Sequence, residues 1–271
     1  MDTMEDTILL SHMPLWGVFL GSLIITFGSI GLGFQLGRRK RKKLPGDETI
    51  HTGPFAGATL SLLALMLAFV FGAVESRFDE VKHLAVDEAN AIGTAFLRSD
   101  LLPEPDRTVI RGLLSDYVSL LVQVVGTDDN LQIEQGIQQS GELHTELWSR
   151  AVEVATQAPT PISALFVQSL NDVIDLQEAR LTFSVRYRLS AMLWISLYGL
   201  AIIAMALGGF DSGCHSNRRF VAVDTATAVA FSVVLALVAA LDRPHQYLPS
   251  ATQEAMVDVE DHIHQSMESE P

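Results

Sequence analysis

Apolar residues in this sequence fall into four long runs that are separated by polar segments. The runs cover residues 14–37, 54–74, 189–210 and 220–241. A helix rises about 1.5 Å per residue, so roughly 20 apolar residues are enough to cross the hydrocarbon core of a bilayer. The pattern therefore predicts an all-α protein with four transmembrane helices.

The second apolar run differs from the others because its helical pattern continues past the end of the apolar stretch. No proline lies between Pro54 and Pro103, and from Glu75 the chain becomes charged while it stays rich in helix-forming residues. Apolar residues of the segment 75–102 recur near a 3,4 spacing, which is typical of a helix with one buried face. We predict a single helix that leaves the membrane without interruption.

Residues 75–188 make up a segment outside the membrane, which turn-forming residues divide into helices. The breaks are Pro103 and Pro105, the turn at 126–130, and Pro159 and Pro161. The predicted helices are 75–102, 104–125, 131–157 and 161–188. Their similar lengths favour an antiparallel four-helix bundle, extending from the second and third spans, with the last helix running unbroken into the third span.

Two details refine this organisation. Gly136 and Gly141 each cost a helix up to about 1 kcal/mol relative to alanine, which allows a break in the third helix. The sequence after the fourth span is acidic, and we expect it to be frayed after a short amphipathic turn. The predicted parts are the first two spans with their basic loop (1–74), the acidic bundle (75–188), the last two spans (189–241) and the acidic tail (242–271).

The charge distribution predicts the orientation in the membrane. Six consecutive basic residues, 38–43, follow the first span, and Arg218 and Arg219 lie between the third and fourth spans. Because basic loops stay in the cytoplasm, both termini and the 75–188 domain are expected on the extracytoplasmic side. The single cysteine, Cys214, would then face a reducing compartment, and it excludes an intrachain disulfide.

Composition also limits the classes of function. The net charge of −14 argues against nucleic acid as a partner, because phosphate binding needs a basic surface. The sequence has no Gly-rich phosphate loop, no His-Glu-x-x-His and no Gly-x-Ser-x-Gly motif, so we predict no catalytic residues and no enzyme. The eight histidines are dispersed, and we predict neither a metal site nor a cofactor.

The second span carries small residues at a spacing of three or four. They are Gly53, Gly57, Ser61, Ala64, Ala68 and Gly72, and the first span repeats the spacing at Gly17/Gly21 and Gly33/Gly37. Such faces let helices pack closely, which is one interpretation. The other is that this span lines a pore that apolar side chains close by dewetting. The candidates for that constriction are Leu67, Phe69, Val70 and Phe71.

Polar residues on the two helices next to the membrane form a second set of candidates. They are Arg77, Asp79, Glu88, Asn90, Asn171, Asp175, Glu178 and Arg180. A hydrogen-bonded network that fixes helix register is one interpretation, and a cation site built from carboxylates and amides is the alternative. Asp224 is an intramembrane carboxylate, either functional or stabilising the start of the fourth span.

Several stretches resemble the bestrophin-like domain family, an uncharacterised group of bacterial membrane proteins. They are RFDEVKHLAVDEANAIGTAFLRSDLLPEPDR, LNDVIDLQEAR, and LDRPHQ followed by QEAMVDVED. The family name implies kinship with bestrophins, which are pentameric, mostly anion-selective channels with a pore lined by the second membrane helix. The 75–188 domain, with 18 acidic and 9 basic residues, instead favours cations near its surface.

Two functions follow from these observations. The first is a homo-oligomeric ion channel of the bacterial plasma membrane, with the lipid bilayer and inorganic ions as its partners. The alternative is a membrane-anchored sensor or interaction protein, whose external bundle binds a ligand or partner and transmits its motion through the second and third spans.

Overall fold

The computed structural model describes residues 14–43, 52–125, 130–186, 189–215, 221–243 and 250–269. Over these ranges the chain forms helices and no strands, which confirms the all-α prediction. The helices are α1 (Leu15–Lys43), α2 (Gly53–Ser99), α3 (Asp106–Val125), α4 (Asn130–Gln157), α5 (Pro161–Leu181), α6 (Ala191–His215), α7 (Val221–Asp242) and α8 (Ser250–Glu268).

The chain divides into two compact units. We call Met1–Ser76 with Leu189–Asp242 the membrane unit, and Arg77–Arg188 with Arg243–Pro271 the bundle unit. Within the described residues, α1, α2, α6 and α7 are long and apolar enough to cross a membrane. These are the four predicted transmembrane helices.

Helix α2 is a single uninterrupted helix of 47 residues, which at 1.5 Å per residue is about 70 Å long. It begins in the membrane unit and ends in the bundle unit, as its proline-free sequence predicts. The last helix of the bundle behaves differently. Helix α5 ends at Leu181, a π-helical turn follows at Thr182–Arg186, and residues 189 and 190 are not helical.

The prediction of an unbroken helix from the bundle into the third span is therefore wrong. The backbone N–H of Leu189 donates to the carboxylate Oδ1 of Asp242, at 3.0 Å, instead of to a helical carbonyl. Leu189 lies two residues before α6, so this carboxylate pairs a backbone amide that no helix satisfies. Asp242 is the last residue of α7 and is 2 % exposed. Its carboxylate therefore links the end of α7 to the segment that precedes α6.

A second carboxylate, that of Asp211 in the last turns of α6, lies at the start of α2. The hydroxyl of Thr52 donates to Asp211 Oδ1 at 2.8 Å. A negative charge is favourable there because the amino-terminal end of a helix is positive. In each case, a carboxylate near the end of one membrane helix stabilises the beginning of another.

Helices α1 and α6 pack backbone to backbone through four glycines. A Cβ atom at Gly33 or Gly37 would lie 2.0 or 2.2 Å from a carbonyl oxygen of α6. A Cβ atom at Gly209 or Gly213 would lie 2.2 or 2.3 Å from a carbonyl oxygen of α1. The contacts advance in the same direction along both helices, which are therefore parallel. The small-residue spacing at Gly33/Gly37 is used for packing, whereas a Cβ at Gly21 would meet no atom within 4 Å.

The bundle unit is built around one apolar core to which five helices contribute. The largest fully buried side chains include Phe96 of α2, Ile110 of α3, Leu147 of α4 and Phe166 of α5. Pairs such as Tyr117 with His144 and Val124 with Gly136 show that α3 and α4 run antiparallel. The four predicted helices of the bundle are present, and the last of them ends at Leu181 instead of residue 188.

Two details of the bundle differ from what the sequence allowed or predicted. Helix α4 continues through both of its glycines without a break, and a Cβ at Gly136 would lie 2.2 Å from Val124 Cγ2, so this glycine permits α3 to approach. The C-terminal segment is not frayed but forms the 19-residue helix α8. Its side chains Met256 and Ile263 are buried in the core and hold the helix against the bundle, while its acidic residues lie on the exposed side.

Candidate functional sites

The first candidate site is the small-residue face of α2 in the membrane unit. Every residue of this face is exposed, and a Cβ at Gly57 or Gly72 would meet no other atom within 4 Å. The face comprises Gly53, Gly57, Ser61, Ala64, Ala68 and Gly72. The chain itself therefore leaves this face largely open, in contrast to the four glycines of α1 and α6.

The four candidate constriction residues point in different directions. Leu67 and Val70 are buried in the apolar core of the membrane unit, together with Leu63 and Leu197. Phe69 is 71 % exposed on the outer side of α2. Phe71 is half-buried, and with Leu67 and residues of α7 it lines an apolar groove of about 410 Å³. Among the four, Phe69 is the side chain that projects furthest from the subunit.

The second candidate site is a polar layer in the core of the bundle unit. Glu88 of α2 is fully buried and accepts a hydrogen bond from the guanidinium Nε of Arg180, on α5. The hydroxyl of Tyr117, on α3, donates to Glu88 Oε1 at 2.8 Å. A buried carboxylate thus has two partners, which is what its removal from water requires.

Helix α4 adds His144 to this layer. Its ring lies against that of Tyr117, with the ring centroids 4.7 Å apart and the planes tilted by 46°. One turn away, the side-chain amide of Gln177 donates to Ser140 Oγ at 2.8 Å. The four helices α2, α3, α4 and α5 therefore contribute one residue each to the central set Glu88, Tyr117, His144 and Arg180, which we call the polar layer.

Burial and charge perturb the protonation equilibria in the polar layer. Burial, the nearby charge of Glu88 and the hydrogen bond to it raise the pKa of Tyr117 well above 10, although Arg180 opposes this. Burial alone would lower the pKa of Arg180, but Glu88 outweighs it and the pKa is raised. Tyr117 therefore remains a protonated donor and Arg180 a cation at any physiological pH.

The structure brings together only part of the predicted polar set. Glu88 and Arg180 form an ion pair. Asn171 bonds to Asp175 within α5 on the surface, at 2.8 Å. The side chains of Asp79, Asn90 and Glu178 are exposed, and that of Arg77 is half-buried. Asp224 lies in the first turn of α7.

Sequence reasoning missed Tyr117 and His144. Tyr117 falls on the apolar spacing of α3, and only its hydroxyl distinguishes it from an ordinary core residue. His144 follows the pattern of the buried positions Leu147 and Ala151 on α4, which could have indicated that a histidine faces the core. Among the described residues, no three His, Cys, Asp or Glu side chains are placed to hold a metal ion.

These features define a multi-pass helical membrane protein that also contains a helical bundle. The chain belongs to the Bestrophin-like domain family, whose profile matches residues 21–246. The comparisons with curated proteins and with solved structures gave no match. The family resemblance of the sequence is thus confirmed over most of the chain.

Proposed function

We propose that this protein is a homo-oligomeric ion channel of the bacterial plasma (inner) membrane, in which α2 lines the conducting path. The observation that carries the proposal is the exposed small-residue face of α2. The outward side chains of α1 and α6 are large and apolar, for example Ile24, Leu32 and Ile195, as suits contact with lipid. A row of Gly, Ala and Ser offers lipid little contact but lets neighbouring helices approach closely.

A ring of subunits gives this face a role. When α2 of each copy lines a common axis, its small residues allow neighbouring helices to come together. Phe69, which lies on the flank of the small-residue face at about 100° per residue, projects into the space between them. A ring of phenyl groups narrows and dewets a pore, as apolar constrictions do. Leu67 and Val70 are buried within the subunit, so the constriction is assigned to Phe69.

The charge of the bundle favours cations over anions. Residues 75–188 contain 18 acidic and 9 basic side chains, a net charge of −9 per subunit. Repeated around a symmetry axis, this charge raises the local concentration of cations. The proposal involves no catalytic reaction.

Replacing Phe69 by alanine tests the conducting path. We expect reconstituted Phe69→Ala protein to show several-fold greater cation flux from proteoliposomes than the wild type, because the constriction widens. Val70→Ala is the matched control, since it removes an apolar group one residue away that faces the subunit core. The proposal fails if the chain is a monomer in nanodiscs, or if the well-reconstituted oligomer passes no ions.

Labelling of Cys214 tests the proposed orientation, with both termini and the bundle outside. We expect a membrane-impermeant thiol reagent to leave Cys214 unmodified in intact cells and to react after permeabilisation. Asp172→Cys in a Cys214→Ser background is the matched control, because Asp172 is exposed on α5 and should react in intact cells. The opposite pattern would place the bundle in the cytoplasm.

A second candidate function is a membrane-anchored sensor whose bundle binds a ligand. It is favoured by a groove of about 730 Å³ between α3, α4 and α8. Four carboxylates line the groove: Asp116, Glu142, Glu146 and Glu260. A sensor needs no central axis, so the oligomeric state in nanodiscs separates the two functions, and a monomer or dimer without flux favours the sensor.

A further inference from the structure

The polar layer contains one side chain whose ordinary pKa lies near neutrality. We infer that the centre of the bundle is a proton-binding site at which His144 Nε2 accepts the proton. The inference rests on three observations: the burial of this imidazole, the missing hydrogen-bond partner of one nitrogen, and the charges around it. It does not depend on whether the protein conducts ions.

His144 is 9 % exposed, and its Nε2 atom is buried and has no hydrogen-bond partner among the described residues. Buried polar atoms without partners are rare and costly in native proteins. An unprotonated imidazole nitrogen leaves only a lone pair unsatisfied there. A protonated nitrogen would place an N–H and a positive charge in the same dry position, which costs far more.

Among the described residues, the hydroxyl and the carboxylate that the polar layer places near His144 already have partners. The hydroxyl of Tyr117, from α3, already donates to Glu88, and the carboxylate of Glu88, from α2, is held by Arg180, from α5. An imidazolium would therefore have to compete with Arg180 for Glu88. Such competition alters the link between α2 and α5, so the arrangement described here belongs to the neutral state of His144.

The electrostatics agree with this geometry. Burial lowers the pKa of His144, and the charge of Glu88 opposes the shift only in part. The unfolded chain therefore binds the proton at a higher pH than the folded one. Stability is full above about pH 6.5, the ordinary pKa of histidine, and is lost as pH falls from that value towards the lowered pKa of the folded state.

Trp148 provides a reporter, because it lies one turn after His144 on α4. A full-length protein with Trp16→Phe and Trp194→Phe retains this tryptophan alone. In detergent or nanodiscs, we expect its fluorescence to fall with a midpoint below pH 6.5, since an imidazolium quenches a nearby indole more strongly than an imidazole does. Over the same range, the Tm should fall by about 2–4 °C for each unit of pKa depression.

Two variants of His144 test the assignment. His144→Phe keeps a ring against Tyr117 without a titrating nitrogen, and His144→Gln is the alternative should the first variant not fold. Either should abolish the fluorescence transition and make the Tm less sensitive to pH between 7.5 and 5. His83→Gln, which removes an exposed histidine of α2, should keep both responses.

The inference is overturned if the His144 variants retain the wild-type response. It is also overturned if Trp148 reports no transition, or one with its midpoint at or above pH 6.5, in the protein that keeps His144. The fluorescence of Trp148 is measured in a protein whose polar layer carries no substitution. A failure of ion flux would leave this measurement unaffected, so the proton site and the channel are tested separately.

Discussion

Replacing Glu88 by alanine is expected to cost about 3–5 kcal/mol of unfolding free energy, the range found when one partner of a buried ion pair is removed. The substitution leaves the guanidinium of Arg180 without its carboxylate and the hydroxyl of Tyr117 without its acceptor. Unfolding of the purified protein in detergent, followed by circular dichroism, measures the loss.

Asp87→Ala is the matched control, because Asp87 precedes Glu88 on the same helix but is exposed. Its effect should stay within about 0.5 kcal/mol, as for most surface substitutions. The triple variant Glu88→Leu, Arg180→Met, Tyr117→Phe replaces all three interacting groups by apolar ones and should recover much of the stability. Equal effects of Glu88→Ala and Asp87→Ala would contradict the described polar layer.

Introducing a methyl group at Gly33 is expected to separate α1 from α6. The new Cβ would lie 2.0 Å from the carbonyl oxygen of Ala206, and because both groups belong to backbone, neither helix can relieve the overlap by a rotamer change. We expect Gly33→Ala to lower the unfolding free energy by at least about 1–3 kcal/mol, the usual cost of overpacking. Thermal unfolding in nanodiscs measures the change.

Gly28→Ala controls for the general effect of alanine in α1. A Cβ at Gly28 meets no atom within 4 Å, so this variant should be as stable as the wild type or more stable. Gly209→Ala, on the facing helix, should behave like Gly33→Ala, since its Cβ would lie 2.2 Å from the carbonyl oxygen of Ile30. If the variants at Gly33 and Gly28 are equally stable, the close packing of α1 and α6 is not maintained in the membrane.

The main helices could be predicted because each is determined by local sequence. The length of α2 follows from the absence of proline over residues 55–102, and the four spans follow from the apolar runs. The break between α5 and α6 could not be predicted in this way. It is accompanied by a contact between Leu189 and Asp242, which are 53 residues apart.

The same distinction explains the candidate sites. The importance of Glu88 and Arg180 was apparent from their polar character on helices next to the membrane, but their pairing depends on the relative register of α2 and α5. Tyr117 and His144 lie on the other two helices, and only the assembled bundle brings them to the ion pair. Helix α8 was not predicted because the many acidic residues of this segment outnumber its few buried apolar residues, such as Met256 and Ile263.

The parallel packing of α1 on α6 also has a consequence for biosynthesis. Gly33 contacts Ala206, so the two facing positions are 173 residues apart in the chain. At roughly 5–20 residues per second, a ribosome needs about 10–35 s to synthesise the intervening segment. Throughout that interval α1 has no partner for its glycine face, and it must be held by lipid or by the insertion machinery until α6 emerges.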